Sequence, residues 1–542
     1  MMPPPADRVA AQSGGVSVGD DTRAHQRGGV MSLRALAGVA VLLGVALWLR
    51  AAALGQPSLD IDEYDHLFAA QHLLEDGRPA LPSGSLYTRS LPYTQAVALS
   101  FKLFGVSEAS ARWPSVLFGM LLVALTYLVG RRWVGVRAAC IATVLVATSP
   151  VLVEMSRLCR MYSLFDVLYL GLVFAYFQGW ERAGVPLRQR VLWTLFALGL
   201  GMASLTIHLL TLVVAPAIGA YWIGRAIARP RSRYTLYLAI VAAGVAALLV
   251  VHGTGELRQL WQKAHYVPAW AAARRDDMGF YLVEWQRWYP GLWVVAAAGA
   301  AVLLQQQPAI GWFLVCQFAV PFLLHSVVFD WKVRRYISQL FPFLALLIAP
   351  LIAQLLDWVV AAVRQRRPTA WPRLAGGLAM SVLLLAGWWP SLAKAASLRQ
   401  DPRRPRWRQA YAFIQQRLQP GDAVLAAVPL GAHYYLHHPA THAFTRGKDW
   451  GERAVRNADG VLTDWYSGLP LVESVEAFQR VQQTYPRGWL VSDRGQFTSE
   501  AHTDPVVRQY IEEHCRAYHP IAGHTSVYVF GWDRTATPET RP

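Results

Sequence analysis

The segment Ser58-Leu59-Asp60-Ile61-Asp62-Glu63-Tyr64-Asp65-His66 carries four acids within six residues. Carboxylates this dense suit two kinds of chemistry: taking a proton from an attacking hydroxyl, or holding a divalent cation. Asp60 and Glu63 have the spacing of a helix capping box, with Asp60 as N-cap and Glu63 in the third helical position. That assignment leaves Asp62 without a structural duty. An acid in the first helical turn is stabilised by about 0.3–1 kcal/mol by the helix dipole, which keeps it ionised as a base or ligand must be. Asp60-Ile61-Asp62 is also a DxD, so Asp60 and Asp62 are the ligands if the site uses Mg²⁺ or Mn²⁺. With Asp60 and Glu63 engaged in capping, the expectation is a site without metal and with no other cofactor.

Positive charge surrounds this segment in an unexpected way. The turns Ser156-Arg157-Leu158-Cys159-Arg160-Met161-Tyr162 and Asp330-Trp331-Lys332-Val333-Arg334-Arg335-Tyr336 fall on the side of the membrane where short loops should be poor in arginine. Arg89 and Arg112 add charge beside the acids. Phosphate is the natural partner of such arginines, because guanidinium offers it a planar fork of donors. Snorkelling to lipid headgroups is the alternative. His208 occupies a tight turn between two apolar runs, facing either a cavity or the interface.

The elements that position these residues are membrane helices. Of 542 residues, 54% are hydrophobic and 16% charged, with mean hydropathy +0.26. Soluble proteins carry about 25% charged residues. Eleven apolar runs read as spans: 33–54, 113–130, 136–153, 162–179, 191–207, 209–227, 234–252, 291–304, 310–328, 336–357 and 374–390. Arginine clusters at 131–137, 182–190, 225–233 and 364–373 mark cytoplasmic loops and put the N-terminus inside. An odd number of spans then puts residues 393–542 outside, with the loops 55–112 and 253–290. Residues 1–30 are polar and read as a disordered cytoplasmic tail or as the product of a misassigned start, with Met31 the beginning.

The tail 393–542 has the size of a small α/β domain, with strands at 423–428, 488–492 and 525–530, and reads as a cap over the membrane site. Four cysteines form no metal motif; Cys159 and Cys515 fall on one side of the membrane, either paired or free. The net charge of +17 suits anionic lipid headgroups, and no nucleic-acid recognition motif accompanies it.

Taken in order, the motifs resemble the protein O-mannosyltransferase-like family of GT-C glycosyltransferases, related to the aminoarabinose lipid A transferase. The pieces are Asp62-Glu63 after the first span, RSLPYTQAVALSFKLFG at 89–105, EASARWPS at 108–115, SPVLVEMSRLCRMYSL at 149–164 and RRYISQLFPFLALLIAP at 334–350. The resemblance covers about 33–350, and Ser90-Leu91 departs from the family's tight basic-Pro pairing. It implies an α-helical polytopic GT-C domain over 31–392, in the inner (plasma) membrane of a bacterium, with the active site outside. It implies an inverting transfer of a sugar from a polyprenyl-phosphate donor to an acceptor hydroxyl on protein, lipid or glycan. Asp62 would be the base, with Glu63 orienting it or holding the acceptor. Arg89, Arg157, Arg160 and Arg335 would bind the donor phosphate, and His66, His208 and Tyr336 the rest of the substrate. A transporter or flippase of lipid-linked sugars would need a polar path through the bilayer centre, where Asp166 is the nearest charge. A lipid-linked glycan polymerase or ligase is disfavoured by the acidic first loop.

Overall fold

The computed structural model describes residues 33–252, 274–365, 387–400, 404–436, 439–445, 454–520 and 526–535, with isolated positions between 255 and 271. The segments read as a tail at 1–30 and as most of a span at 374–390 lie outside the described residues. The chain forms two compact units, Met1–Gly44 and Val45–Pro542. The described part of the first is the beginning of α1 (Leu33–Ala51), with Val39, Val41 and Leu43 exposed.

The second unit continues from α1 into the first loop, which folds as α2 (Glu63–Glu75) and α3 (Leu91–Phe104). Then come α4 (Glu108–Trp133), α5 (Val136–Thr148), α6 (Pro150–Ser156), α7 (Tyr162–Tyr176), α8 (Leu187–Ile207), α9 (Val214–Ala228) and α10 (Arg233–His252). The later helices are α11 (Phe280–Trp288), α12 (Leu292–Gln306), α13 (Pro308–Leu323) and α14 (Phe341–Gln365). Six helical stretches among the described residues are long and apolar enough to cross a membrane, and eight if two bent pairs each count as one. α1 and α10 occupy two further expected spans as helices of 19 and 20 residues.

Two expected spans differ in shape. The run 136–153 is α5 and α6, bent by 58° at Ser149. Pro150 has no N–H and its ring clashes with the preceding turn, so the helix must restart there. The carbonyls this releases are taken by Arg50, which donates to Ala147 O at 2.8 Å and Val146 O at 3.3 Å. The run 291–304 is α12, joined to α11 at 95°. Glycine lets helices touch: a methyl group on Gly119 would fall 2.1 Å from Ser156 Oγ, and one on Gly299 would fall 2.5 Å from Leu347 O.

The tail is α/β. Its sheet runs β5-β2-β1-β6-β8-β7, comprising β1 (Ala423–Ala426), β2 (His442–Phe444), β5 (Leu471–Val472), β6 (Arg487–Asp493), β7 (Arg516–Tyr518) and β8 (Val527–Asp533). β5, β2, β1 and β6 are parallel; β8 pairs antiparallel with β6 and β7. β3 (Ala454–Arg456) and β4 (Leu462–Asp464) form a separate hairpin. Leu425, Phe444, Phe478, Leu490, Ile511 and Phe530 make the tail's core. Cys159 and Cys515 are both free.

Tail and membrane helices belong to one compact unit. Two tail helices, α15 (Trp407–Gln415) and α16 (Pro429–Leu436), sit on the first loop. The Leu59 N–H donates to Tyr435 Oη at 2.9 Å, and Arg408 donates to Gly55 O at 2.7 Å and pairs with Glu108.

Candidate active site

Glu63 is wholly buried, and five donors converge on its carboxylate. Arg112 grips it with Nε at 2.7 Å and Nη2 at 2.8 Å. Backbone N–H groups of Cys159 and Asp60 donate at 2.7 and 2.8 Å, and Arg404 Nη1 at 2.9 Å. Burial alone would push its pKa up, but Arg112 and Arg404 outweigh it and hold the carboxyl down to about 2. A carboxylate with this many donors is a poor base, and its contacts give it a structural duty beside the expected one of orienting Asp62 or holding the acceptor. It ties the first loop, the turn before α7 and the tail into one collar. Arg112 completes the collar by donating to the carbonyls of Leu54, Pro57 and Ser58.

The capping box is half made. Glu63 does accept the Asp60 N–H, but α2 begins at Glu63 with Asp62 as N-cap, and the Asp62 side chain makes no capping hydrogen bond. Asp62 therefore points its carboxylate elsewhere. Arg335 Nη2 lies 2.9 Å from Asp62 Oδ2 and Arg160 Nη2 4.0 Å from it, while Arg160 Nη1 donates to the Asp62 carbonyl at 2.7 Å. Asp65 stands 3.7 Å from Arg160. Asp62, Arg160 and Arg335 line a cleft of about 140 Å³, together with Asp60, Glu154, Arg334 and Arg404, and Glu63 forms part of its wall. Asp60 is half-buried; burial pushes its carboxyl up, and Asp62 and Glu63 add to the rise against the pull of Arg404 and Arg335. Among the described residues, no group of three His, Cys, Asp or Glu side chains could hold a metal ion. Asp60 and Asp62 share their surroundings with arginines that compete for the same lone pairs.

The expected phosphate-binding arginines separate into two classes. Arg160 and Arg335 reach the cleft. Arg89 is exposed and within electrostatic reach of Arg160, Tyr162 and Tyr336. Arg157 does not join them: its Nη1 donates to Leu49 O, Arg50 O and Ala52 O at 3.2, 2.8 and 2.9 Å. The Leu49 and Arg50 carbonyls belong to the last turn of α1 and Ala52 follows it, so a buried guanidinium caps the helix end. This corrects its expected role.

The three substrate-binding expectations also divide. His66 is fully buried, with Nδ1 2.9 Å from Thr94 Oγ1 and its ring edge-on to Tyr87 and Tyr93, so it packs the loop and does not line the cleft. His208 and Tyr336 are not among the lining residues either; their rings pack 5.6 Å apart, and the Tyr336 ring lies 6.0 Å from the Arg335 guanidinium. Burial, then Arg89, Arg160, His325 and Arg335, lower the His208 imidazole to about 3, so it is neutral. Asp166 accepts from Ser338 Oγ at 2.9 Å and is buried away from water.

Sequence reasoning missed Arg334, which faces Glu154 at 3.5 Å across the cleft, and Arg404, which enters from the tail. Arg334 was visible as the neighbour of Arg335. Arg404 stands in the basic run before Trp407, where charge alone does not tell a site residue from a solvated one.

Comparison with known proteins accords with this geometry. Residues 92–254 match the family model described as dolichyl-phosphate-mannose-protein mannosyltransferase. No curated protein sequence matches. Among solved structures, ArnT from Cupriavidus metallidurans in the apo state is similar with a TM-score of 0.58 and 16% identity, covering 93% of this chain and 100% of that one. The same protein bound to undecaprenyl phosphate gives 0.57 and 15%, covering 92% and 98%. The archaeal oligosaccharyltransferase AglB from Archaeoglobus fulgidus, in complex with an inhibitory peptide and a dolichol-phosphate, gives 0.62 and 12%, covering 94% and 74%. The fold is the GT-C fold, and the resemblance carried by the sequence motifs is borne out.

Proposed function

We propose that this chain, built on the GT-C fold, transfers a sugar from a polyprenyl-phosphate carrier to an acceptor hydroxyl by a single inverting displacement. The observation that carries the reading is Asp62: an uncapped carboxylate in a cleft, 2.9 Å from Arg335 and with Arg160 behind it. A base and a phosphate binder are thus preassembled as an ion pair. A donor phosphate competes with Asp62 for the Arg335 guanidinium, and its arrival frees the base. The acceptor oxygen attacks the anomeric carbon as Asp62 takes its proton. The carbon–oxygen bond to phosphate breaks, and Arg335, Arg160 and Arg89 take up the charge on the departing phosphate. That leaving group needs no proton, so one carboxylate suffices. The reading places the cleft and tail on the extracytoplasmic face of a bacterial inner membrane, where lipid-linked sugars replace nucleotide donors, and it uses no metal.

The test is donor consumption by the full chain in nanodiscs, in the presence of EDTA, with glycans and glycoproteins from a deletion strain analysed by mass spectrometry. Turnover of a polyprenyl-phosphate sugar with inversion is expected. Retention at the anomeric centre, or activity only with a nucleotide sugar, would overturn the proposal. Loss in EDTA with rescue by Mg²⁺ or Mn²⁺ would make Asp60 and Asp62 ligands. Reporter fusions at Gly77 and after Asp401 should both report outside.

A further inference from the structure

Behind Arg335, three buried polar groups have no hydrogen-bond partner among the described residues. The first is Nε2 of His208. Nδ1 of that ring accepts the Leu210 N–H at 3.1 Å, so in the neutral imidazole the proton is on Nε2, a buried donor with nothing to donate to. The second is the hydroxyl of Tyr162, a side chain with no exposed surface. The third is His325, also wholly buried, with both ring nitrogens unpartnered. An unsatisfied buried polar group is costly and rare, and three together are the mark of a place filled by a ligand or by water.

Two of the groups, Tyr162 and His208, adjoin the proposed phosphate site. The Tyr162 and His208 rings are 5.9 Å apart, and the Arg335 guanidinium stands 5.8 Å from the Tyr162 ring. His208 is within electrostatic reach of His325, Arg89, Arg160 and Arg335. A sugar joined to a phosphate on Arg335 has to lie within a few ångströms of it, and Tyr162, with His208 against it, waits at that range, with His325 next beyond His208.

We propose that Tyr162, His208 and His325 form the subsite for the hydroxyls of the donor sugar, and that it takes an uncharged sugar while rejecting one that carries an ammonium group. This rests on the polyprenyl-phosphate-sugar reading above. The donor pattern sets the class. His208 Nε2–H requires an acceptor, which an ammonium cannot be. His325 presents one donor and one acceptor, and the Tyr162 hydroxyl can serve as either, so each is complementary to a hydroxyl. The arginines around His208 repel a cation that has been stripped of water.

Binding to the full chain in nanodiscs tests this. The probes are bare undecaprenyl phosphate, its monosaccharide forms carrying mannose, glucose, galactose, N-acetylglucosamine or arabinose, and the form carrying 4-amino-4-deoxyarabinose. At least one neutral sugar form should bind about tenfold or more tighter than the aminoarabinose form. His208→Phe and His325→Phe should each remove most of that advantage while leaving bare undecaprenyl phosphate bound as before. Tyr162→Phe, which deletes one oxygen, should do the same more weakly, and it guards against a folding defect in the histidine variants. Aminoarabinose bound as tightly as the best neutral sugar overturns the proposal. So does loss of bare-carrier binding in step with sugar-carrier binding. If the wild type binds no probe, including the bare carrier, the lipid-donor reading itself fails and the subsite falls with it.

Discussion

The buried collar around Glu63 and the open cleft around Asp62 are built from the same residue types to opposite ends. In the collar, Glu63 meets two guanidinium groups and two backbone N–H groups, and Arg112 meets three carbonyls, so no donor or acceptor is left over. In the cleft, the Asp62 side chain is 35% exposed and Arg335 26%, and the 2.9 Å contact between them is one that a ligand can displace. Two adjacent acids thus have separate duties, because the turn entering α2 sends one inward and the other out. A charge that is saturated holds the fold together; a charge that is paired but accessible is available for chemistry. Substitutions on the two sides of this divide should separate activity from stability.

The largest separation is expected at Asp62. Asp62→Asn keeps the shape and loses the basicity, so turnover should fall about 100- to 10,000-fold, the usual worth of a general base. Melting temperature and binding of undecaprenyl phosphate should change little. Turnover within a few fold of wild type would falsify Asp62 as the base.

Glu63→Gln should show the opposite profile. Breaking a buried pair by neutralising one partner costs about 3–5 kcal/mol, here by leaving Arg112 uncompensated. The loss should appear as a lowered melting temperature, with turnover per folded molecule reduced far less than in Asp62→Asn. A pH signature accompanies it. The Glu63 carboxyl is held to about 2 against an ordinary 4.5, so its stabilising share is complete above pH 4.5 and is lost as pH falls towards 2. The stability gap between wild type and Glu63→Gln should close over that window. A gap independent of pH would mean that the Glu63 charge is not what the collar uses.

The arginine fork is the next contrast. Arg335→Lys retains charge but loses the planar pair of donors. A cut of about tenfold in turnover is expected if Arg335 meets a phosphate, with Arg335→Ala worse, by about 2–4 kcal/mol of transition-state stabilisation. Wild-type kinetics in the lysine variant would move the phosphate site towards Arg89 and Arg334.

What the sequence disclosed follows the same divide. Apolar runs located most spans, because burial in lipid needs length and hydropathy alone. Short apolar runs read as buried strands located β1, β6 and β8 in the tail. The acid-rich segment after α1, which lines the cleft, was legible from composition and spacing. Which acid faces the arginines was only half legible: the capping argument singled out Asp62 but gave Asp60 the cap that the backbone places at Asp62. The arginines could not be sorted by any local signal. Arg157 and Arg160 lie three residues apart in one turn, and the same topology rule flags both. Only the fold shows that α1 ends beneath one and that Asp62 lies over the other. Arg404 was hidden for a related reason, since its partner Glu63 is 341 residues away in the chain.

Arg157 supplies the smallest and most discriminating test of that sorting. Its guanidinium bridges three carbonyls at the end of α1, while Arg160 faces carboxylates. Lysine at 157 would keep a positive charge near the helix C-terminus and so keep the favourable dipole term. Its stem ends one bond short of Nη1, so the ammonium could not reach all three oxygens, and each lost hydrogen bond is worth about 0.5–1.5 kcal/mol net. Arg157→Lys should therefore cost about 1–2 kcal/mol of stability by that count, measured as a small drop in melting temperature, with donor affinity and turnover per folded molecule unchanged. Arg160→Lys should do the reverse, because the contacts it loosens are those to Asp62 and Asp65. If Arg157→Lys instead weakened donor binding at unchanged stability, the division between collar and cleft would be drawn in the wrong place, and the end of α1 would have to belong to the donor site.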